Sequence, residues 1–222
     1  MLVEDTEIAQ KIFQNYKSYS FLRYVKSRRN ILESVGSGIT VYFVHELVGC
    51  KKRYEYGREL LEKAQEDGDF EDNSAFIIGD SVEKRIIELL NAKEAFVAFK
   101  YLDSDKKVLI IGSADGWYEN RPLEIKYRSS TCAPEEYHIL QARLYAWLYD
   151  VDYSWLVIVS PKCIRSFKAY ATSTQEIKYL IENWSSPRFA SECNFCPFAL
   201  SCPLNKRTTT TLLSYVVGGD NS

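Results

Sequence analysis

No stretch of eighteen uninterrupted apolar residues occurs in this 222-residue chain, which excludes an ordinary membrane-spanning helix. The N-terminal stretch MLVEDTEIAQKIF is acidic and has no long apolar run. It lacks the character of a secretory signal, so a cytoplasmic location is expected. Thiols stay reduced there, and six cysteines then point to metal binding or catalysis more than to disulfides. Net charge is only −2, so the chain as a whole does not advertise nucleic-acid binding. Histidine occurs twice, at His45 and His138, and no internal repeat is visible. With 46% apolar and 26% charged residues, global disorder is excluded and a packed core is expected.

Basic residues are grouped locally, at Lys26–Arg29, Lys51–Arg53 and Lys126–Arg128. Each group reads either as a solvated face or as part of a local basic track for DNA. Residues 1–35 read as helical, and Gly36–Thr40 breaks the pattern. VYFVHELVGCKKRYEYGRELLEKAQ reads as one or two helices ending near Glu66–Asp69, and a further helix is predicted from about Ser74 to Ala92. Strand-like segments follow in AFVAFKYL, KVLIIGSADGWY and RPLEIKYR. EEYHILQARLYAWLYD has helical spacing. YSWLVIVS is a buried strand with SFKAYAT as a candidate partner, and TQEIKYLIENW is a helix with Thr174 as N-cap. Helices flanking a mixed central sheet imply an α/β or α+β domain. The tail from Lys206 is polar and is expected to be loose.

The chemistry concentrates in IIGSADGWYENRPLEIKYR. Asp115 follows an apolar strand at a Gly-flanked turn. Glu124 and Lys126 are two apart, so in a strand they share a face, with Ile125 on the other. If the two segments form a hairpin, Asp115 comes near Glu124. Carboxylates are the oxygen donors that Mg²⁺ and Mn²⁺ prefer, and the Ile125 carbonyl could add another. A lysine beside such an ion orients the attacking water or stabilises phosphate charge. The bland alternative is a surface Glu–Lys pair with Asp115 a turn residue.

Upstream, Glu83 heads the line Glu83, Ile87, Leu90 beside the apolar line Val82, Ile86, Leu89. A carboxylate there is either a third metal ligand or a rim residue reaching water. Downstream, Gln141 and Tyr145 lie four apart on one helix face, placed either to bond a phosphate or a catalytic carboxylate, or simply to pack. SECNFCPFALSCPLN holds Cys193, Cys196 and Cys202 in a C-x2-C-x5-C spacing. Three thiols do not complete a four-coordinate site, and thiolates serve zinc and iron–sulfur clusters alike.

The ordered set G-x3-E, D, E-x-K, Q-x3-Y and C-x2-C-x5-C resembles the RecB-type nucleases of the PD-(D/E)xK superfamily, and within it the CRISPR-associated exonuclease family with an iron–sulfur cluster. That family carries a first cysteine far upstream in a phrase that VHELVGCKKRYEYG matches, which supplies Cys50. The resemblance spans about Val41 to Leu204. It implies a nuclease domain over 41–205, after a helical segment 1–40 and before a flexible tail 206–222. It implies that Asp115 and Glu124, with Glu83 and Ile125, bind Mg²⁺ or Mn²⁺, that Lys126 assists the water, and that Gln141 and Tyr145 position DNA. Cys50, Cys193, Cys196 and Cys202 would hold a [4Fe–4S] cluster, with Zn²⁺ the alternative, joining the N- and C-terminal regions. Cys132 and Cys163 read as non-ligands. Most such sequences carry His where Glu83 stands.

The implied function is a metal-dependent DNA exonuclease acting on single strands or DNA ends. It would process spacer precursors in CRISPR adaptation beside integrase proteins, or serve a virus or mobile element, and it leaves room for a homo-oligomer. The rival is a DNA-binding or adaptor subunit of the same fold with a decayed site and a structural iron–sulfur or zinc centre.

Overall fold

A computed structural model describes residues 28–63, 74–189, 191–196 and 198–205. The expected helix over 1–27, the break at Glu66–Asp69 and the tail from Lys206 lie outside them. Residues 28–34 are helical (α1). There follow β1 (Thr40–Phe43), α2 (Val44–Leu47), α3 (Lys51–Lys63), α4 (Ser74–Leu90), β2 (Ala98–Tyr101), β3 (Val108–Gly112), β4 (Gly116–Tyr118), β5 (Arg121–Tyr127), α5 (Glu136–Leu148), β6 (Tyr153–Ser160), β7 (Cys163–Tyr170) and α6 (Thr174–Glu182). Among the described residues no helix is long and apolar enough to cross a membrane.

The strands form two sheets rather than one, in the orders β1-β3-β2 and β4-β5-β6-β7. Both are mixed: β1/β3 and β5/β6 pair parallel, and the remaining pairs are antiparallel. The single strand-like segment KVLIIGSADGWY divides at Ser113–Asp115, with β3 in one sheet and β4 in the other. The parallel β5/β6 pair needs a long crossover, and α5 is that crossover. Helix α5 packs on one face of the second sheet, where Ala142 meets Leu156, Ile158 and Ala169. Helix α4 covers the other, where Ile86 meets Leu123, Ile125, Val157 and Val159. The α–β–α layering buries both faces of β5 and β6, which accounts for their near-continuous apolar runs.

Three local expectations need correction. Val41–Phe43 belongs to a strand, not a helix: Val41 and Phe43 alternate inward and pair with Leu109 and Ile111 of β3. Leu89 is 63% exposed and lies off the packed face of α4. The N-cap of α6 is Ser173, not Thr174: Glu176 N donates to Ser173 Oγ at 3.1 Å, and Ser173 N donates to Glu176 Oε2 at 2.7 Å. This reciprocal pair is a capping box. Thr172 and Arg143 also donate to Glu176, and with the Ser173 N–H they hold its carboxyl down at about 2. Glu176→Ala is expected to lower unfolding free energy by about 1 kcal/mol at pH 7, measured by urea denaturation. Because the folded value is depressed, that contribution is present above the ordinary carboxylate range and fades as pH falls towards 2.

Cys132 and Cys163 are joined in a disulfide, with Cα atoms 6.1 Å apart. This departs from the expectation of reduced thiols. The bond ties the loop after β5 to the start of β7.

Candidate nuclease site and cysteine cavity

The β4/β5 ladder pairs Gly116 with Leu123, so Asp115 comes opposite Glu124 one step further on. Strand β4 supplies only three residues, so among the described residues no strand pairs with the Glu124–Tyr127 half of β5 on that side. Asp115 fills part of the gap: Ile125 N donates to Asp115 Oδ2 at 2.7 Å. In a strand the N–H and C=O of one residue point the same way, so the Ile125 carbonyl also points to the Asp115 side. Glu124 is fully buried. Its Oε1 is ion-paired with Lys126, while Oε2 has no hydrogen-bond partner among the described residues.

The electrostatics follow from this crowding. Burial, then the charge of Asp115, then Glu83, push the Glu124 carboxyl up to about 8 against the pull of Lys126. Burial likewise raises Asp115, opposed by Lys126 and by the Ile125 N–H, with Asp80 adding to the rise. Burial works against the charge of Lys126, but Glu124, Asp115 and Glu83 outweigh it and hold the ammonium protonated. Two buried carboxylates, both raised by burial and one with an orphaned buried oxygen among the described residues, form a donor set that a hard divalent cation fits.

Glu83, half-buried on α4, acts electrostatically on both Glu124 and Lys126. Asp80, one turn earlier, acts on Asp115. The sequence reading missed Asp80. The signal was its i,i+3 spacing from Glu83, which places both acids on neighbouring turns of one helix face. On α5, Gln141 Nε2 donates to Tyr145 Oη at 3.4 Å, and both side chains are buried. Burial, then Glu124 and Asp115, raise the Tyr145 phenol well above its ordinary value, so it remains an O–H donor. Tyr145 lies close against β3 because Gly112 has no side chain. A Cβ there would stand 2.9 Å from the Tyr145 ring and 2.8 Å from Val44. His138 is a buried packing residue at the start of α5, where Nδ1 accepts from Glu135 N at 3.2 Å. Burial and the charges of Lys126 and Arg128 lower it to about 3, so it stays neutral.

At the other site, the chain around Cys50 is bound to the chain after α6. Trp184 Nε1 donates to Gly49 O at 2.6 Å, Lys51 N to Ser185 O at 3.1 Å, and Lys52 N to Ser186 Oγ at 2.7 Å. Tyr54 packs on Trp184 with ring centroids 4.8 Å apart. Cys50, Cys193, Cys196 and Cys202 line one cavity with Arg53 and Tyr56, and none of the four is in a disulfide. Four cysteines from two distant stretches around one cavity suit a tetrahedral thiolate ligand set. Among the described residues no three His, Cys, Asp or Glu side chains converge closely enough to hold a metal ion in this conformation.

No protein-family model matches the chain. The chain is 29% identical over 180 residues to the CRISPR-associated exonuclease Cas4 of Saccharolobus solfataricus, covering 74% of this chain and 87% of that protein. The crystal structure of SSO0001 superposes with a TM-score of 0.63 at 26% identity, covering 84% of this chain and 96% of that one. An alkaline exonuclease from Laribacter hongkongensis gives a TM-score of 0.46 at 17% identity over 66% of this chain and 86% of that one. The chain is thus similar along most of its length to a Cas4 exonuclease.

Proposed function

We propose that the protein is a metal-dependent DNA exonuclease that hydrolyses phosphodiester bonds at the ends of single strands or of DNA with single-stranded ends. The observation that carries this reading is the junction of Asp115, Glu124 and Lys126 on β5 beyond the end of β4, with Glu124 Oε2 buried and without a hydrogen-bond partner among the described residues. Similarity to a Cas4 exonuclease supports it. We propose in addition a role in CRISPR adaptation, with integrase proteins as partners, or in the DNA of a virus or mobile element.

Asp115, Glu124, the Ile125 carbonyl and Glu83 would hold Mg²⁺ or Mn²⁺. A bound ion of this kind polarises the phosphoryl oxygen and lowers the pKa of its water. Lys126 is protonated before the reaction and therefore does not abstract a proton. It orients the water and stabilises charge on the phosphate. Tyr145, kept as a phenol and bonded to Gln141, donates to the phosphate or to Glu124. At the far end, Cys50, Cys193, Cys196 and Cys202 would hold a [4Fe–4S] cluster, or zinc in its place. The backbone bonds from Gly49–Lys52 to Trp184–Ser186 already hold the two stretches together. The cluster's role is then structural, because metal binding there is coupled to folding.

Single strands labelled at either end, and a covalently closed circle of the same strand, test this reading with Mg²⁺ or Mn²⁺. Linear strands should shorten from an end, and the circle should persist. Intact linear strands would favour the decayed-site reading, whose support is Glu83 where the resembled family mostly has His. A pH prediction follows from Glu124. The ion requires its ionised form, and the metal-free group titrates near 8, so binding below that pH displaces a proton. Mn²⁺ affinity, measured by calorimetry without DNA, should rise about tenfold per pH unit up to about 8 and then level off.

A further inference from the structure

On the face of the second sheet that α4 covers, the cover stops short of the β7 edge. The register places Tyr153 beside Tyr170, and Trp155 between Leu123 and Lys168. Ser154, between them in sequence, is buried on the α5 side, where its Oγ donates to Ala142 O, so Tyr153 and Trp155 point the other way. Tyr170 is 63% exposed, Lys168 is exposed, and Tyr153 and Trp155 are half-buried. The rings touch: Tyr153–Trp155 centroids are 5.2 Å apart and Tyr153–Tyr170 centroids 6.0 Å. The cations are interleaved. Lys168 Nζ lies 4.6 Å from the Tyr153 ring and 5.5 Å from that of Trp155, and the Arg121 guanidinium lies 5.1 Å from Tyr153.

Arg121 is paired with Asp152 at 2.9 Å. Lys168 has no carboxylate at ion-pair distance among the described residues. From Pro161 to Ala171 the sequence carries Lys162, Arg165 and Lys168 and no acid; Arg165 stands beside Ile158 on the α5 face, and Lys168 is the cation that β7 places beside these rings. The Trp155 Nε1 has no acceptor among the described residues. The exposed Tyr170 ring beside half-buried Tyr153 and Trp155, with Lys168 and Arg121 over their rings, matches a ligand with stacked bases and a phosphate backbone. A duplex hides its base faces, so it gains only the charge part.

We infer that Tyr153, Trp155, Lys168 and Tyr170 form a second binding surface for single-stranded DNA, on the opposite face of the sheet from Glu124 and Lys126. The surface holds strand outside the catalytic site and raises its residence on the enzyme. This rests on the single-strand substrate proposed above.

The test is equilibrium binding of a fluorescently labelled 20-nucleotide single strand to the full chain in EDTA, where no cleavage occurs. Tyr170→Ala and Lys168→Ala, both at exposed positions, should each weaken binding by at least about fivefold, with unchanged thermal melting. Lys168→Ala should also lower the salt slope of log K by about 0.7. Duplex binding should change by less than about twofold for Tyr170→Ala. Single-strand affinities within about twofold of the parent, with an unchanged salt slope, would overturn the inference, as would an equal loss for duplex in Tyr170→Ala. A change only in the protein's mass by light scattering would instead assign the face to a second copy and also overturn it. Because binding is read without a catalytic ion, failure of the parent protein to cut DNA leaves this result standing, and failure here leaves the nuclease reading untouched.

Discussion

Lys126→Ala should reduce cleavage of a linear single strand by about 10²- to 10³-fold while binding of that strand in EDTA stays within about threefold of the parent. Loss of a positioned group that acts on transition-state charge costs on this order. The effect belongs in kcat, because Lys126 is proposed to act on the water and the transferring phosphate rather than on distant nucleotides. The substitution also leaves Glu124 buried without its ion-pair partner. Breaking a buried pair in this way can cost several kcal/mol. Glu124 has an outlet, since burial and Asp115 already favour its protonated form, and protonation removes the stranded charge. Lys126→Ala should therefore be more stable at pH 6 than at pH 8, and a melting comparison at the two pH values separates lost chemistry from lost fold. Glu124→Gln should match the loss of cleavage without creating a stranded charge. Full activity in either variant would show that the site assignment is wrong.

The second large effect is expected at the other end of the molecule. Replacing Cys193 with Ser should release the bound metal, lower the melting temperature by roughly 10 °C or more and weaken DNA binding together with it. Cys193 follows Cys50 by 143 residues, and closing so long a loop removes much freedom from the unfolded state. Cys193 is buried, and Cys50, Cys196 and Cys202 are half-buried around the same cavity, so an unligated member has little solvent to compensate it. Cys132→Ser and Cys163→Ser serve as controls: they break the disulfide and should leave metal content unchanged. Protein purified without oxygen should be coloured and contain iron and sulfide. Colourless protein loaded with zinc would replace the cluster with zinc, and metal-free protein that melts like its Cys193→Ser variant would remove the centre altogether.

The parts of the molecule that were legible in sequence are those with a clear local period. Helix α5 is legible through Leu144, Trp147 and Leu148, which are buried as the spacing predicts, although burial runs unbroken from Leu144 to Leu148 and Ile139 is exposed. Strand β5 places Glu124 and Lys126 together by alternation alone, and the ion pair follows from that. The cap of α6 was read one residue late, at Thr174; the Ser173-x-x-Glu176 spacing is the signal that marks Ser173 instead. What was hidden depends on tertiary placement. Strand β1 has four residues and runs directly into α2, so its alternation is too short to stand against the helical pattern around it. Its pairing with β3 is parallel and distant in sequence. The nearness of Asp80 and Glu83 to the β5 edge depends on how α4 lies across the sheet. The Cys132–Cys163 contact depends on the loop after β5 meeting the β6–β7 turn.

The central claim is that Asp115, Glu124 and Lys126 form a working site that lacks only its ion. The most direct measurement loads a labelled linear single strand onto the intact protein in EDTA, confirms the complex, and then adds excess Mn²⁺ at pH 8. The account predicts that the bound strand shortens from an end within one binding event, and that Glu124→Gln protein treated identically leaves it whole. Bound strand that stays intact on the parent protein with either Mn²⁺ or Mg²⁺ would contradict it.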